Sequence, residues 1–252
     1  MSDQQDILLQ VTGVAKTFGG LKAVDDVTLA LRAGIVTTLV GPNGAGKTTL
    51  FNLITGQLVP DRGEVVWLGN SIVRLPQWKI ARLGIGRTFQ DLKLFSHMTV
   101  EENVTTVTER GSWLWQPGGA AAKAARRSSV EAALEATGLK DKRHARAIDL
   151  AFAERKFLSL ARVMASGARL WLLDEPASGL DPGSYERFLS LLRNSVRGGV
   201  TICIIEHNLD IVQGISDRIA FLDQGRLLAE GEPKTILSDP ALAAIYFGER
   251  AA

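Results

Sequence analysis

Ile35-Val-Thr-Thr-Leu-Val40 runs directly into Gly41-Pro-Asn-Gly-Ala-Gly-Lys-Thr-Thr49, and Leu50-Phe-Asn-Leu-Ile54 follows. The first piece is nearly all apolar, the pattern of a strand buried on both faces. The last has helical spacing and stops near Gly56. The loop between them matches G-x-x-x-x-G-K-[ST] in full, in the strand–loop–helix setting a phosphate-binding loop needs. Gly41, Gly44 and Gly46 let the backbone bend so that successive N–H groups converge on one phosphate. Pro42, Asn43, Ala45 and Thr49 complete the cradle, and the helix that follows adds its positive end. Lys47 is placed to neutralise the β- and γ-phosphates, and the Thr48 hydroxyl to bind Mg²⁺.

A second apolar strand, Trp171-Leu-Leu-Asp-Glu-Pro176, ends in two carboxylates. That puts Asp174 at the carboxyl edge of the sheet, where open α/β sheets bind ligands and where an acid can hold magnesium. Glu175, next along, is positioned to polarise an attacking water. Ile205-Glu-His207 ends a third buried strand, and its histidine is a candidate to reach the γ-phosphate.

Outward from these motifs, Ile7–Val11 and Val27–Leu31 read as strands before the loop. Residues 63–90 read as short strands with one turn-rich segment, and 99–165 as mostly helical. Ala120–Ala136 is a strong helix former. The stretch Gly111–Gly119 reads as a loop, with Trp113 and Trp115 packed under it or marking a contact surface. Strands return at Leu170–Leu173 and Val200–Ile205 with a helix over Ser184–Ser195 between them, an order that predicts a parallel sheet with crossover helices. Arg218–Leu222 and Arg226–Ala229 read as a hairpin around Asp223-Gln-Gly225. No internal repeat or linker interrupts the chain. The helical middle reads as an insertion into one α/β core.

Bulk properties narrow the classes. The 252 residues are 46% hydrophobic and 22% charged, an ordinary globular balance able to bury a core without staples. A net charge of +2 is too close to neutral to argue for nucleic acid or anionic lipid as a partner by bulk electrostatics. The single cysteine, Cys203, sits in an apolar run, which excludes an internal disulfide and fits a reducing compartment. Met1-Ser-Asp-Gln-Gln-Asp6 has neither a basic nor an apolar signal region, and no apolar run approaches the roughly 18 residues that span a bilayer.

Taken in order, the motifs resemble those of the ABC-type ATPases over essentially the whole chain. The resemblance implies an α/β P-loop NTPase fold with a mainly parallel core, an N-terminal antiparallel β part and a helical insertion. It also implies a single domain over 1–252, with a core of about 1–90 and 166–252 and a helical subdomain of about 91–165. Gln90, in Arg87-Thr-Phe-Gln90, matches the family's glutamine that senses Mg²⁺ and contacts the transmembrane partner. Ser178, Gly179, Leu180 and Asp181 match the D-loop, and His207 the switch histidine. Phe18 stands where the family stacks an aromatic on adenine, with simple core packing as its competing role. Within the family, Phe18–Val24, Arg87–Phe95, Met98–Asn103 and Glu206–Val212 resemble the ATPases of branched-chain amino acid importers. Groups that import urea or aromatic acids, or export lipopolysaccharide, share much of this. A soluble ABC ATPase acting on nucleic acid or the ribosome is the other class, although those carry two cassettes or a long coiled coil.

The resemblance implies ATP and Mg²⁺ as cofactors. Its implied partners are a second ATPase subunit, two permease subunits and, indirectly, a solute-binding protein. The implied location is peripheral, on the cytoplasmic face of the cell membrane. One element departs from the pattern. The family signature, normally Leu-Ser-Gly-Gly-Gln, here reads Leu150, Ala151, Phe152, Ala153, Glu154. In the family dimer this segment caps the ATP held by the other subunit. Ala151 lacks the hydroxyl, worth about 1.5–3 kcal/mol as a hydrogen bond to a charged group. Ala153 adds a methyl where close backbone approach is wanted. Pairing with a different ATPase that bears a full signature is therefore expected over a homodimer.

Overall fold

The computed structural model describes residues 6–109 and 119–247. The expectations for Trp113 and Trp115 lie outside the described residues. The amino-terminal half contains β1 (Ile7–Phe18), β2 (Leu21–Arg32), β3 (Val36–Val40), α1 (Lys47–Ile54), β4 (Arg62–Trp67), β5 (Asn70–Ser71), α2 (Gln77–Arg82) and β6 (Ile85–Arg87). Three helices follow: α3 (Val100–Thr108), α4 (Ala120–Ala136) and α5 (Phe152–Ala165). The rest is β7 (Leu170–Asp174), α6 (Pro182–Arg197), β8 (Thr201–Ile205), α7 (Leu209–Ile215), β9 (Arg218–Asp223), β10 (Arg226–Gly231), α8 (Pro233–Leu237) and α9 (Pro240–Phe247).

Every residue of β3, β7 and β8 is buried, as their continuous apolar runs require. Strand periodicity sorts them to two faces. Trp171, Leu173, Ile202 and Ile204 join one hydrophobic cluster, with α3, α4, α5 and α6. Leu170, Leu172, Cys203 and Ile205 join another, with α1 and the amino-terminal strands. Each such side chain contributes about 1.5–3 kcal/mol of burial, and a charge on either face would have no partner. Burial drives the Cys203 thiol far above its usual range, so it packs as a hydrophobe.

The main sheet has six strands in the order β10-β9-β3-β8-β7-β6, parallel except for the β9–β10 hairpin. All of its parallel strands therefore end at one edge. The second sheet is antiparallel, in the order β2-β1-β4-β5.

Two sequence expectations change. The first two strands run far beyond Ile7–Val11 and Val27–Leu31 and meet at Gly19 and Gly20, whose φ values of 50° and 90° make the two-residue turn a twisted hairpin wants. Polar residues such as Lys16, Thr17, Lys22 and Asp26 hid these extensions from a reading of apolar pattern. Residues 77–82, read within a strand-and-turn stretch, form α2, with Ile80 on its buried side.

The segment around α3 is fixed by polar contacts as well as packing. Thr99 and Glu102 cap α3 reciprocally. The fully buried Asn103 donates to the carbonyls of Phe95, Met98 and Thr99 and accepts from the Phe95 N–H, pinning the preceding segment to the helix. Among the described residues, no helix is long and apolar enough to cross a membrane.

Candidate nucleotide and coupling site

The phosphate loop lies between β3 and α1 at the carboxyl edge of the parallel strands. Two of its glycines are required by both conformation and space. A Cβ on Gly41 (φ 144°) would stand 1.9 Å from the Leu222 carbonyl oxygen, and one on Gly46 (φ 99°) 2.2 Å from that of Ala23. Gly44 also has positive φ, but a Cβ there would meet nothing within 4 Å, so it faces open space. The β9–β10 turn braces the loop from behind: the Gly225 N–H donates to the Ala45 carbonyl at 3.0 Å, and the Gly225 carbonyl accepts from Asp25 N–H at 2.8 Å.

Helix α1 starts on Gly46 with no side-chain cap and no acid in its first turn, which leaves its N–H groups for a ligand. Lys47 is buried and donates to the carbonyls of Gly41 at 2.7 Å and Pro42 at 2.9 Å. Burial pulls its ammonium below the usual lysine range, and the carboxylates of Glu175 and Asp174 pull it back up.

An open cleft of about 1050 Å³ covers this loop. It is lined by 43–49, Gln90 and Glu175, and on its far wall by Leu21, Lys22, Ala23, Asp25, Gln224 and Arg226. An ion pair of 2.7 Å between Arg226 and the buried Asp25 fixes that wall. Gln90 and Glu175 thus meet the loop in one cavity. Phe18 is 45% exposed with the Lys16 ammonium 5.7 Å from its ring, so its reading as core falls; the turn pairs it with Leu21, which lines the cleft, while Phe18 itself is not among the lining residues.

Asp174 is the last residue of β7 and is buried. Burial raises its carboxyl above the usual range, opposed first by the Arg87 guanidinium at 3.3 Å and also by the Thr48 hydroxyl. Glu175 follows with φ 45°, a left-handed conformation that costs a non-glycine residue about 1–3 kcal/mol. Its N–H donates to Ile205 and its carbonyl accepts from Lys156 of α5 at 3.0 Å, and these bonds hold the turn. His207 Nδ1 lies 3.9 Å from Glu175 Oε1, with the imidazole half exposed, and its carbonyl accepts a bond from Tyr246.

Glu206, which precedes His207, is almost wholly buried. One carboxylate oxygen accepts from the Ala177 N–H at 3.2 Å and the other has no protein partner; burial raises its pKa.

Among the described residues, no group of three or more His, Cys, Asp or Glu could hold a metal ion. The available donors are the oxygens of Thr48, Asp174 and Gln90. That set fits a hard cation such as Mg²⁺ that brings water and phosphate oxygens as its remaining ligands.

Ser178–Asp181 leads from this end into α6, where Asp181 caps the helix by accepting from Ser184 N–H at 3.0 Å. Leu150–Glu154 does not line the cleft. Leu150 is buried, Ala151 occupies the N-cap position of α5 without a side-chain bond, and the half-exposed Phe152 ring packs on Gly179. Glu154 turns back on its own helix: it accepts from the Ala151 N–H at 3.0 Å and pairs with Lys142 at 2.5 Å. Sequence reading assigned no role to Arg87, Lys156, Glu206 or the Asp25–Arg226 pair. The only signal for Arg87 and Glu206 was a charged residue at the end of an otherwise apolar strand.

A family model described as ABC transporter matches residues 24–178. The branched-chain amino acid transport ATP-binding protein LivG of Salmonella typhimurium is 38% identical over 252 residues, covering 96% of this chain and 98% of the relative. BraF of Pseudomonas aeruginosa, named for the same transport, is 38% identical over 250 residues, with coverage of 96% and 98%. Among solved structures, a nucleotide-free ATP-binding cassette of an ABC transporter superposes with a TM-score of 0.84 at 30% identity, covering 96% of this chain and 98% of that one. A cassette in its ADP conformation also gives 0.84, at 32% identity, with coverage of 96% and 99%.

Proposed function

The chain belongs to the ABC transporter family, and from there we propose that it is the ATP-hydrolysing subunit of an importer for branched-chain amino acids or a related small solute. The observation that carries this is the cleft in which an uncapped phosphate loop, Gln90 and Glu175 face one another. The relatives named for branched-chain amino acid transport support the substrate class.

In this reading the loop amides from 41–49 bind the phosphates. Lys47 leaves the Gly41 and Pro42 carbonyls to neutralise them. Phe18, paired with Leu21 of the cleft wall, takes the adenine. Thr48, Asp174 and Gln90 would hold Mg²⁺, which when bound would supply charge neutralisation at the phosphates. Glu175 orients and deprotonates the attacking water, and His207, beside it, holds the γ-phosphate end.

The start of α5, Leu150–Glu154, serves the ATP of a second subunit, and Ser178–Asp181 lies along that interface. Because Glu154 occupies the Ala151 amide, this face is a weak phosphate clamp. A different ATPase with an intact signature is the partner this favours. Two lobes, a core of about 1–90 with 166–252 and a helical lobe of about 91–165, close around nucleotide. Between them a groove of about 450 Å³, bordered by Trp78, Arg82, Phe89, Leu92 and Lys93, offers apolar and basic surface to a permease helix. That contact holds the subunit at the cytoplasmic face of the membrane.

Glu175→Gln in the assembled complex should lower ATP turnover by about 10²–10⁴-fold while ATP still binds. Unchanged turnover would remove Glu175 from its role. Purification from the source membranes should yield two permeases and a second ATPase. A soluble or nucleic-acid-bound assembly would overturn the transporter reading.

A further inference from the structure

β6 ends on Arg87, three residues before Gln90. Its guanidinium is 5% exposed and ties three elements together. One terminal nitrogen donates to Asn52 Oδ1 at 2.7 Å and Thr55 Oγ1 at 3.1 Å, at the end of the helix that begins at the phosphate loop. The other donates to Asp174 Oδ2 at 3.3 Å. The rings of Phe51 and Phe89 lie 5.5 and 5.0 Å from it, and its Nε has no protein partner. Arg87 also borders the groove between the lobes, while Gln90 borders the nucleotide cleft, so residues 87–90 form part of the wall between the two cavities.

The two grips differ. The bond to Asn52 is short, whereas the bond to Asp174 is single and long beside the about 2.7–2.9 Å usual for charge-assisted bonds. A buried carboxylate needs a counter-charge, and Arg87 supplies one without committing both nitrogens to it. A cation brought to the same carboxylate would repel the guanidinium and weaken the bond that joins β6 to β7.

We propose that Arg87 is a positioning residue: it stands in for a cation at Asp174 while the cleft is empty, and yields that carboxylate to incoming metal-nucleotide, freeing the Gln90 segment to shift against the groove. This rests on the reading of the cleft as a Mg-nucleotide site.

The test is ADP affinity of the full chain, with Mg²⁺ and with EDTA. In Arg87→Gln, the uncompensated Asp174 repels phosphates until metal arrives. The ratio of the two dissociation constants should rise about tenfold over the unmodified chain. Arg87→Lys, which keeps the charge, should stay within about twofold. A purely structural arginine would weaken both affinities together and leave the ratio unchanged, which overturns the proposal. Should the glutamine variant fail to fold, the Arg87 Nε–H resonance of the unmodified protein decides. It should shift with Mg-ADP and not with ADP and EDTA; the same response to both overturns the proposal. Absence of any ADP binding by the unmodified chain overturns the nucleotide reading instead.

Discussion

The starts of α1 and α5 are both helix N-termini on exposed edges of the molecule, and the chain treats them oppositely. Helix α1 opens on Gly46 with no capping side chain and no acid in its first turn, so its amides are left facing the cleft. Helix α5 opens on Ala151, and Glu154 folds back to occupy the Ala151 N–H, with Lys142 against the carboxylate. A helix start binds an anion only while its donors and its positive end are unspent. The first start is built to be finished by a ligand. The second also has no side-chain cap, but it sets the Glu154 carboxylate against its positive end and spends the Ala151 N–H on it, which is why we place the stronger phosphate grip on the loop side.

The largest expected effect comes from closing the open start. Gly46→Ala places a methyl where the Ala23 carbonyl stands, at a φ of 99°. The conformation alone costs about 1–3 kcal/mol. Nucleotide affinity, read by titration calorimetry, should fall about a hundredfold if the loop must shift to admit the methyl. Retained affinity would mean that the loop geometry is not what binds phosphate.

The converse change opens the closed start. Ala151→Ser with Ala153→Gly restores a hydroxyl and a close approach. At about 1.5–3 kcal/mol for a bond to a charged group, ATP turnover of a homodimer should rise roughly tenfold or more. If turnover does not rise, the contrast between the two helix starts has no bearing on catalysis.

The smallest effect isolates the charge. Lys142 first, and then the Ala151 amide, hold the Glu154 carboxyl below the usual glutamate range. A carboxyl depressed in the folded state adds stability above its unfolded pKa and loses it as pH falls through the lower folded value. Glu154→Gln should therefore destabilise the fold by about 0.5 kcal/mol at neutral pH, since half-exposed Lys142 screens the pair. The difference between the two proteins should shrink towards zero below the glutamate range. Equal urea midpoints at pH 7 would show that Glu154 does not cap α5.

Much of the fold was legible because its strongest signals are local. The continuous apolar runs of β3, β7 and β8 could belong only to strands buried on both faces, and Ala120–Ala136 is a helix over the residues its composition indicates. The hairpin of β1 and β2 was only half legible. Its outer pairs are polar, and two glycines with positive φ carry the turn. At the site, local pattern proposed the loop, Asp174 and Glu175, and His207 took its proposed role from the company of those motifs and the family resemblance. Local pattern could not give the roles of Arg87 or Glu206, because each depends on which distant strand lies beside it: Asp174 for Arg87, and the Ala177 amide for Glu206.

The sequence by itself determined the phosphate loop, the carboxylates at the strand ends and the family, because these are contiguous patterns whose chemistry survives without knowing their neighbours. Tertiary structure alone decided that Glu154 faces its own helix, that Phe18 stands out of the core, and that Arg87 neutralises Asp174. Each of these is an electrostatic or burial outcome between residues far apart or free to turn either way. Only packing selects which partner a charge or a ring meets.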